Sequence, residues 1–213
     1  MATDWYRKET WSAADKADFE TRLKRSRGTY NKSQYLRIQA HHLQHATPPL
    51  YSAALELLDR VFNEFRDDSQ IASAYLQKAQ CILATGDFSA AIPYYREGLK
   101  FELEHPKCRT SAWLEFPWQI ATERRDDLYD EALTILQQQT CSLFLPVDVY
   151  RINLVRAIIA THKGQHDVAR SCAEAAKQAS EAKTSGLSYH KNLGVVSKHD
   201  TWAETAMNEI LKT

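Results

Sequence analysis

The chain has 213 residues, with 27 Lys or Arg against 27 Asp or Glu, so its formal net charge is zero. This balance gives no reason to expect a general electrostatic attraction to nucleic acid or to an anionic membrane. Only six glycines and six prolines interrupt a sequence rich in Ala, Leu, Gln, Glu, Lys and Arg, and that composition favours helices over strands.

No targeting or membrane-spanning segment is predicted. Residues 1–8 contain no apolar stretch of the kind found in secretory signals. No apolar run approaches the roughly 18 residues that a membrane span requires. We therefore expect a cytoplasmic protein without a membrane partner.

The first predicted helix, over residues 12–27, begins with a capping box in which Ser12 is followed three positions later by Asp15. Phe19 and Leu23 share one of its faces, and Trp11 lies just ahead of it. We expect residues 1–33 to form an N-terminal cap that covers the apolar face of the first repeat.

The same helix carries a basic segment, residues 22–27, with Arg22, Lys24, Arg25 and Arg27. Tyr30 and Tyr35 lie close to this segment in the sequence and could stack on bases. The segment therefore suggests an alternative, that the protein is a nucleic-acid-associated factor. Asp15, Asp18 and Glu20 offset the charge, so a solvated helix end is the favoured interpretation and nucleic acid is an unlikely partner.

Four segments share an internal repeat: an aromatic residue or His, Ala three positions on, and a further side chain four beyond. The alanines, Ala54, Ala91, Ala132 and Ala169, are 37, 41 and 37 residues apart. Alanine at a helix crossing lets two backbones approach closely. The predicted helix pairs are 34–45 with 50–65, 69–84 with 87–103, 110–123 with 128–139, and 147–162 with 165–183.

The second repeat resembles the tetratricopeptide repeat (TPR). The matching residues are Tyr75, Ala79, Gly86, Phe88, Ala91, Tyr95 and Gly98, and in the fourth repeat Ala157, Gly164, Ala169 and Ala176. The chain as a whole resembles divergent bacterial TPR-like proteins. This resemblance implies an all-α, TPR-like α-solenoid of about four helical hairpins over 34–183, with N- and C-terminal capping helices, in a single domain 1–213.

The C-terminal part, residues 184–213, contains a polar loop over 186–198 and a helix over 200–211. Trp202, Ala203, Ala206 and Ile210 give this helix an apolar side. We predict that it is the C-terminal cap of the repeat array.

Two prolines lie within predicted helices. Pro93 is interpreted as part of a first turn that begins later than position 87, where its missing N–H has no effect. Pro117 lies in an aromatic stretch, and it lacks the donor that would bond the carbonyl of Trp113. A kink is expected there.

The resemblance also implies a concave groove lined by the first helix of each pair. Carried over through the alanine register, its partner-binding residues are Leu36, Gln39, Leu43, Leu76, Gln80, Arg124, Arg151 and Leu154, with Ser73, Leu114, Ala121 and Ile158 beside them. Apolar, amide and guanidinium groups together suit an extended peptide or an acidic segment. The predicted function is a protein–protein interaction module that scaffolds, regulates or neutralises a partner protein.

No catalytic or cofactor motif is present. His41 and His45, four positions apart, could share one helical face, but His42 stands where the hydrolytic zinc motif has its Glu. The four cysteines at 81, 108, 141 and 172 lack the Cys-x-x-Cys spacing of zinc sites, so reduced, packed thiols are expected. We predict a non-enzymatic protein without a metal or cofactor.

Overall fold

The computed structural model describes residues 4–138, 145–197 and 200–212, and within these ranges the regular structure is helical throughout, without strands. The ten described α-helices are α1 Ala13–Arg25, α2 Thr29–Gln44, α3 Tyr51–Asn63, α4 Asp68–Ala84, α5 Phe88–Glu104, α6 Ala112–Thr122, α7 Tyr129–Gln137, α8 Pro146–His162, α9 His166–Ser180 and α10 Thr201–Ile210. A short 3-10 turn, Asp126–Leu128, precedes α7. The all-α prediction is confirmed.

The predicted N-terminal capping box is confirmed. The Ser12 hydroxyl accepts the Asp15 N–H, and the Asp15 carboxylate accepts the Ser12 N–H at 3.0 Å. The next helix, α2, begins at Thr29, five residues before the predicted start at 34. Its first turns read Thr29 to Ser33, and the polar Ser33 is buried, so the apolar periodicity underestimates the length of this helix.

Three of the four predicted helix pairs are in close contact: α2 with α3, α4 with α5, and α8 with α9. The four repeat alanines, Ala54, Ala91, Ala132 and Ala169, are all buried. In the second pair, a Cβ at Gly98 would lie 3.3 Å from the Cβ of Tyr75, so the two helices approach closely at this glycine. The third pair differs, because α6 and α7 make little close backbone contact.

The chain divides into two compact units, with the boundary between Ala112 and Trp113. In the first unit α3 packs on α4, and α2 on α4, in addition to the two hairpins. Phe19 and Leu23 of α1 join the core of these helices, which confirms the predicted apolar side of the N-terminal helix. The prediction of a single domain over 1–213 stays a prediction.

In the second unit α10 packs against both α8 and α9. Ala203, Met207 and Ile210 are its buried residues, so the predicted apolar side of the C-terminal helix is confirmed. The preceding loop is tied to the start of α8, since the Val147 N–H donates to the Gly194 carbonyl at 2.8 Å.

The two prolines lie inside their helices. The interpretation of Pro93 as a first-turn residue is wrong, because Asp87 caps α5 at its N-terminus by accepting the Ala90 N–H at 2.8 Å, which places Pro93 beyond the first turn. Pro117 lies within α6. The kink expected at Pro117 stays a prediction.

Within the described residues, no helix combines the length and the apolar character needed to cross a membrane.

Candidate functional site

Three of the leucines predicted to contact a partner lie instead in the core. Leu36, Leu43 and Leu154 have no exposed surface, and Leu76 is also buried. Leu36 and Leu43 pack in the same cluster as Phe19 of α1. The prediction that these leucines contact a partner is wrong, because the apolar face on which they lie is covered by other helices of the chain.

Gln39 is also fully buried, and its contact is with the chain itself. Its side-chain amide accepts the Lys8 backbone N–H at 3.0 Å and donates to the Lys8 carbonyl at 2.7 Å. Trp5 and Tyr6 place their rings 4.9 and 4.7 Å from that of Tyr35, one helical turn before Gln39. The N-terminal segment therefore occupies the position that the sequence predicts for a partner peptide.

The remaining predicted residues keep some exposure. Gln80 is half-buried on α4 in the first unit, Arg124 is exposed after α6, and Arg151 is half-buried on α8. The two arginines both belong to the second unit, together with the predicted neighbours Ala121 and Ile158. The second unit therefore contains both predicted arginines that remain accessible to a partner.

A cleft of about 270 Å³ opens at this place, and we refer to it as the Arg124 cleft. Its lining consists of Ala121, Arg124, Tyr129, Ile158, Thr161, His162, Trp202, Ala206, Glu209 and Ile210. Three of these, Ala121, Arg124 and Ile158, are groove positions predicted from the sequence. The rest of the wall includes α10, predicted only as a cap, and the C-terminal turn of α8.

The backbone at Arg124 is unusual for an arginine. Its φ of 51° is the one positive value outside glycine among the described residues. The Arg124 N–H bonds to the Ala121 carbonyl and the Arg125 N–H to the Ile120 carbonyl, the pattern that closes a helix with a left-handed residue. At the end of α8, Gly164 holds the same place with the same pair of bonds.

An arginine in a left-handed conformation costs about 1 kcal/mol relative to glycine. Strained positions of this kind cluster at functional sites. Arg124 thus occupies a backbone position that favours glycine, and its side chain lines the cleft.

Some charged side chains around the Arg124 cleft form ion pairs, whereas Arg124 does not form one among the described residues. Arg125 bonds Asp127 at 2.7 Å, Lys163 bonds Asp130 at 2.5 Å, and both pairs lie outside the cleft wall. Among the described residues Arg124 forms no ion pair, although the cleft wall also contains Glu209. Its guanidinium is therefore available to an external acceptor.

Two aromatic side chains link the wall of the cleft to Arg151, which does not itself line the cleft. Trp202 of the cleft wall lies 4.9 Å from Trp118, ring centre to ring centre, and the Arg151 guanidinium lies 5.0 Å above the Trp118 ring. Arg151 forms this cation–π contact and no ion pair among the residues that the structure describes. Arg124 thus lines the cleft, whereas Arg151 is joined to the cleft wall only through the rings of Trp118 and Trp202.

The chain matches no known family model, curated protein or solved structure. The TPR resemblance therefore depends only on the residues that carry it, and it stays a prediction.

Sequence reasoning missed part of the cleft wall: Tyr129, Thr161, His162, Trp202 and Glu209 were not predicted as site residues. His162 lies one helical turn after Ile158, so the helical period could have placed it on the same face. Nothing in the sequence, however, shows that α10 supplies Trp202 and Glu209. That contact is decided by tertiary packing.

The three neighbouring histidines, His41, His42 and His45, are close together at the C-terminal end of α2. The His41 and His45 rings are 4.3 Å apart, and the His45 Nδ1 lies 2.9 Å from the His41 carbonyl oxygen. In the ranges that the structure describes, no group of three or more His, Cys, Asp or Glu side chains is placed to hold a metal ion.

The basic segment 22–27 is partly neutralised. Arg22 bonds Asp18 at 2.8 Å, and the Lys8 ammonium bonds Asp18 at 3.0 Å and Asp15 at 3.1 Å. Lys24, Arg25 and Arg27 remain exposed. The nucleic-acid alternative stays a prediction.

The cysteines allow a direct test of the packing. Burial raises the pKa of the Cys81 thiol to about 12, and the thiolate is the reactive form. We expect iodoacetamide at pH 8 to modify Cys108 and Cys172, which are half-buried, well before Cys81, as measured by peptide mass spectrometry. In denaturant the three should react alike. Equal rates in the native protein would contradict the burial of Cys81. Cys141 lies outside the described residues.

Proposed function

We propose that this chain is a divergent TPR-like protein-interaction module, in which hairpins stack within each unit, and that the Arg124 cleft binds a segment of a partner protein. The observation that carries the proposal is the strained, unpaired Arg124 on the wall of an apolar cleft. The partner segment is expected to carry an apolar side chain next to an Asp or Glu.

The apolar part of the cleft suits the apolar side chain of the partner segment. Ala121, Ile158, Ala206 and Ile210 form a wall without charge, and Trp202 adds a large flat surface. Burying an apolar side chain there gains about 25 cal/mol for each Å² removed from water. This term supplies affinity, whereas the charged groups determine which segment binds.

The guanidiniums of Arg124 and Arg151 suit the Asp or Glu of the partner segment. Arginine binds a carboxylate through two parallel N–H donors, and neither Arg124 nor Arg151 has such an acceptor among the described residues. Glu209 and Asp126 oppose a strongly acidic ligand, since Glu209 lines the cleft and Asp126 lies 3.9 Å from the His162 ring. The arrangement therefore favours one or two acidic residues in the segment over a long acidic tail.

A displayed library of random dodecapeptides tests the proposal. Peptides selected on the full-length protein should be enriched in an apolar residue beside Asp or Glu. Measured by fluorescence polarisation, their affinity should fall about tenfold or more in Arg124→Glu, because a charge-assisted hydrogen bond is replaced by repulsion. A weaker loss is expected in Arg151→Glu, because the Arg151 guanidinium of the wild type is already engaged with the Trp118 ring and does not line the cleft.

Arg170→Glu is the matched control, since Arg170 is exposed on α9, outside the cleft, and the charge change is identical. A second variant, Ala206→Trp, fills the cleft without changing its charge and should also abolish binding. Circular dichroism checks that each variant is folded. Selected peptides that bind Arg124→Glu and Ala206→Trp as tightly as the wild type would overturn the proposal.

A further inference from the structure

A groove of about 650 Å³ lies in the first unit, where the N-terminal segment meets the loop between α2 and α3 and the first turns of α3. We refer to it as the Trp11 groove. Its apolar lining includes Trp11, Pro48, Pro49, Leu50 and Tyr51. None of its lining residues belongs to the first helix of a hairpin, so it is distinct from the groove that the TPR resemblance implies.

The apolar walls of the Trp11 groove are held in place by the core. The Trp11 ring lies 5.4 Å from that of Phe19, which is fully buried. Leu50 and Tyr51 pack against the same core, and the Leu50 N–H donates to the Leu43 carbonyl at 2.9 Å. A ligand would therefore meet a surface that is already formed, which lowers the entropic cost of binding.

The Trp11 groove is open along its length. Trp11, Leu50 and Tyr51 are half-buried, most of the other lining residues are exposed, and none is fully buried. Sites for small molecules usually enclose most of the surface of their ligand. An open groove of this kind suits a polypeptide segment that lies along it.

Two hydrogen-bond donors on the groove favour one backbone conformation for that segment. The Trp11 indole N–H and the Tyr51 hydroxyl form no hydrogen bond with any described residue. A helical segment uses its own carbonyls internally. A polyproline II segment leaves its carbonyls free to accept, and its prolines have no N–H that needs an acceptor. Aromatic-lined grooves are a recurring binding mode for such segments.

The charge of the lining indicates what accompanies the prolines. Glu9 and Glu56 line the groove, both are exposed, and in the part of the chain that the structure describes neither forms an ion pair. Lys16, also exposed, is the cation among the lining residues. Two carboxylates against one ammonium leave the lining negative, so a basic residue in the segment is complementary to it.

A second copy of this sequence does not supply such a segment. Pro48 and Pro49 are adjacent, but they line the groove themselves, and the other four prolines are isolated from one another in the sequence. The proline-rich segment therefore has to come from a different protein.

We propose that the Trp11 groove binds a proline-rich segment of a partner protein, in the polyproline II conformation, with an Arg or Lys beside the prolines. This site depends on residues of the first unit alone, and it requires a basic segment, whereas the Arg124 cleft requires an acidic one. The inference therefore holds or fails independently of the proposed function of the cleft.

The test uses the full-length protein labelled with ¹⁵N, with the indole Nε1–H signal of Trp11 assigned by its loss in Trp11→Phe. The probe is a degenerate decapeptide pool with blocked ends, two prolines three positions apart and Arg three positions beyond them, because residues three apart share one edge of a polyproline II helix. Matched pools carry Glu in place of Arg, or Ala in place of both prolines.

The Arg pool should shift the Trp11 signal in a saturable way, and both matched pools should bind at least about tenfold more weakly. The indole signal of Trp202, which lines the Arg124 cleft, reports on that cleft separately. Failure of one site is thereby distinguished from failure of the other.

Tyr51→Phe tests the hydroxyl while keeping the ring that packs on the core. The affinity for the Arg pool should fall about three- to tenfold, the effect of losing one hydrogen bond. Tyr30→Phe, the same change at an exposed tyrosine outside the groove, should leave the affinity unchanged.

The combined change Glu9→Gln and Glu56→Gln tests the charge, and it should lower the affinity for the Arg pool about tenfold. The matched control combines Glu97→Gln with Glu104→Gln, two exposed glutamates of α5 outside the groove, and should bind as the wild type does. All four glutamates are exposed, so thermal unfolding should show both variants to be as stable as the wild type.

The inference is overturned if the Arg pool leaves the Trp11 signal unchanged, or if the pool with Glu or the pool without prolines binds equally well. Wild-type affinity in both Tyr51→Phe and the combined glutamate variant of the groove would overturn it too.

Discussion

Replacing Phe19 by alanine is expected to lower the free energy of unfolding by about 3–5 kcal/mol, one of the largest effects of a single substitution in this chain. Phe19 is fully buried in the core of the first unit, where its ring lies 5.2 Å from Trp5 and 5.4 Å from Trp11. The loss combines the transfer energy of the ring with the cavity that remains. Urea unfolding followed by circular dichroism measures it.

Tyr30→Ala is the matched control, because this aromatic residue of α2 is 47 % exposed and its removal should change stability by about 0.5 kcal/mol or less. Fluorescence gives a second readout. Both Trp5 and Trp11 contact Phe19, so their emission should move towards the red in Phe19→Ala. A variant as stable as the control, with unchanged emission, would show that α1 does not belong to the core.

Replacing Leu43 by alanine is expected to lower the free energy of unfolding by about 2–5 kcal/mol. The sequence predicts Leu43 as a partner-binding residue, in which case truncation would weaken binding and leave stability nearly unchanged. Its complete burial in the first unit predicts the opposite, a large loss of stability. The substitution therefore separates a core residue from a surface residue.

The control for Leu43→Ala is Leu103→Ala, the same change at a residue of α5 that is 69 % exposed. Thermal unfolding should place Leu43→Ala well below Leu103→Ala, with the latter close to the wild type. Similar melting temperatures for the two variants would show that Leu43 behaves as a surface residue.

Together these substitutions address the main error in the predicted site. The alanine register places Leu36, Leu43 and Leu154 on the first helix of their pairs, and that much follows from the 3.6-residue period. The period indicates that a face is apolar, but it does not show whether another helix or a partner covers that face. In this chain, helices of the same unit cover it.

Gln39 illustrates the same limit for a polar residue. An amide on a helix suits the backbone of an extended peptide, and the structure shows such a contact, with Lys8 as the peptide. Sequence separation hides this pairing, since the two residues are 31 positions apart. The kind of interaction could be predicted from the residue type, whereas its partner could not.

Local signals in the sequence determined much of this protein. The capping box at Ser12, the N-cap at Asp87 and the glycines that end α4 and α8 fix helix boundaries, because each acts through residues no more than a few positions away. The repeat alanines likewise identify a buried face on the second helix of each predicted pair.

Only the tertiary structure decided which helices meet and which polar groups are left without partners. The contribution of α10 to the Arg124 cleft and the burial of the predicted groove leucines depend on residues far apart in the chain. The strained backbone of Arg124 is a geometry that residue type does not reveal. The physical reason is that a helix can satisfy its own backbone hydrogen bonds, while its side chains depend on whatever packs against them.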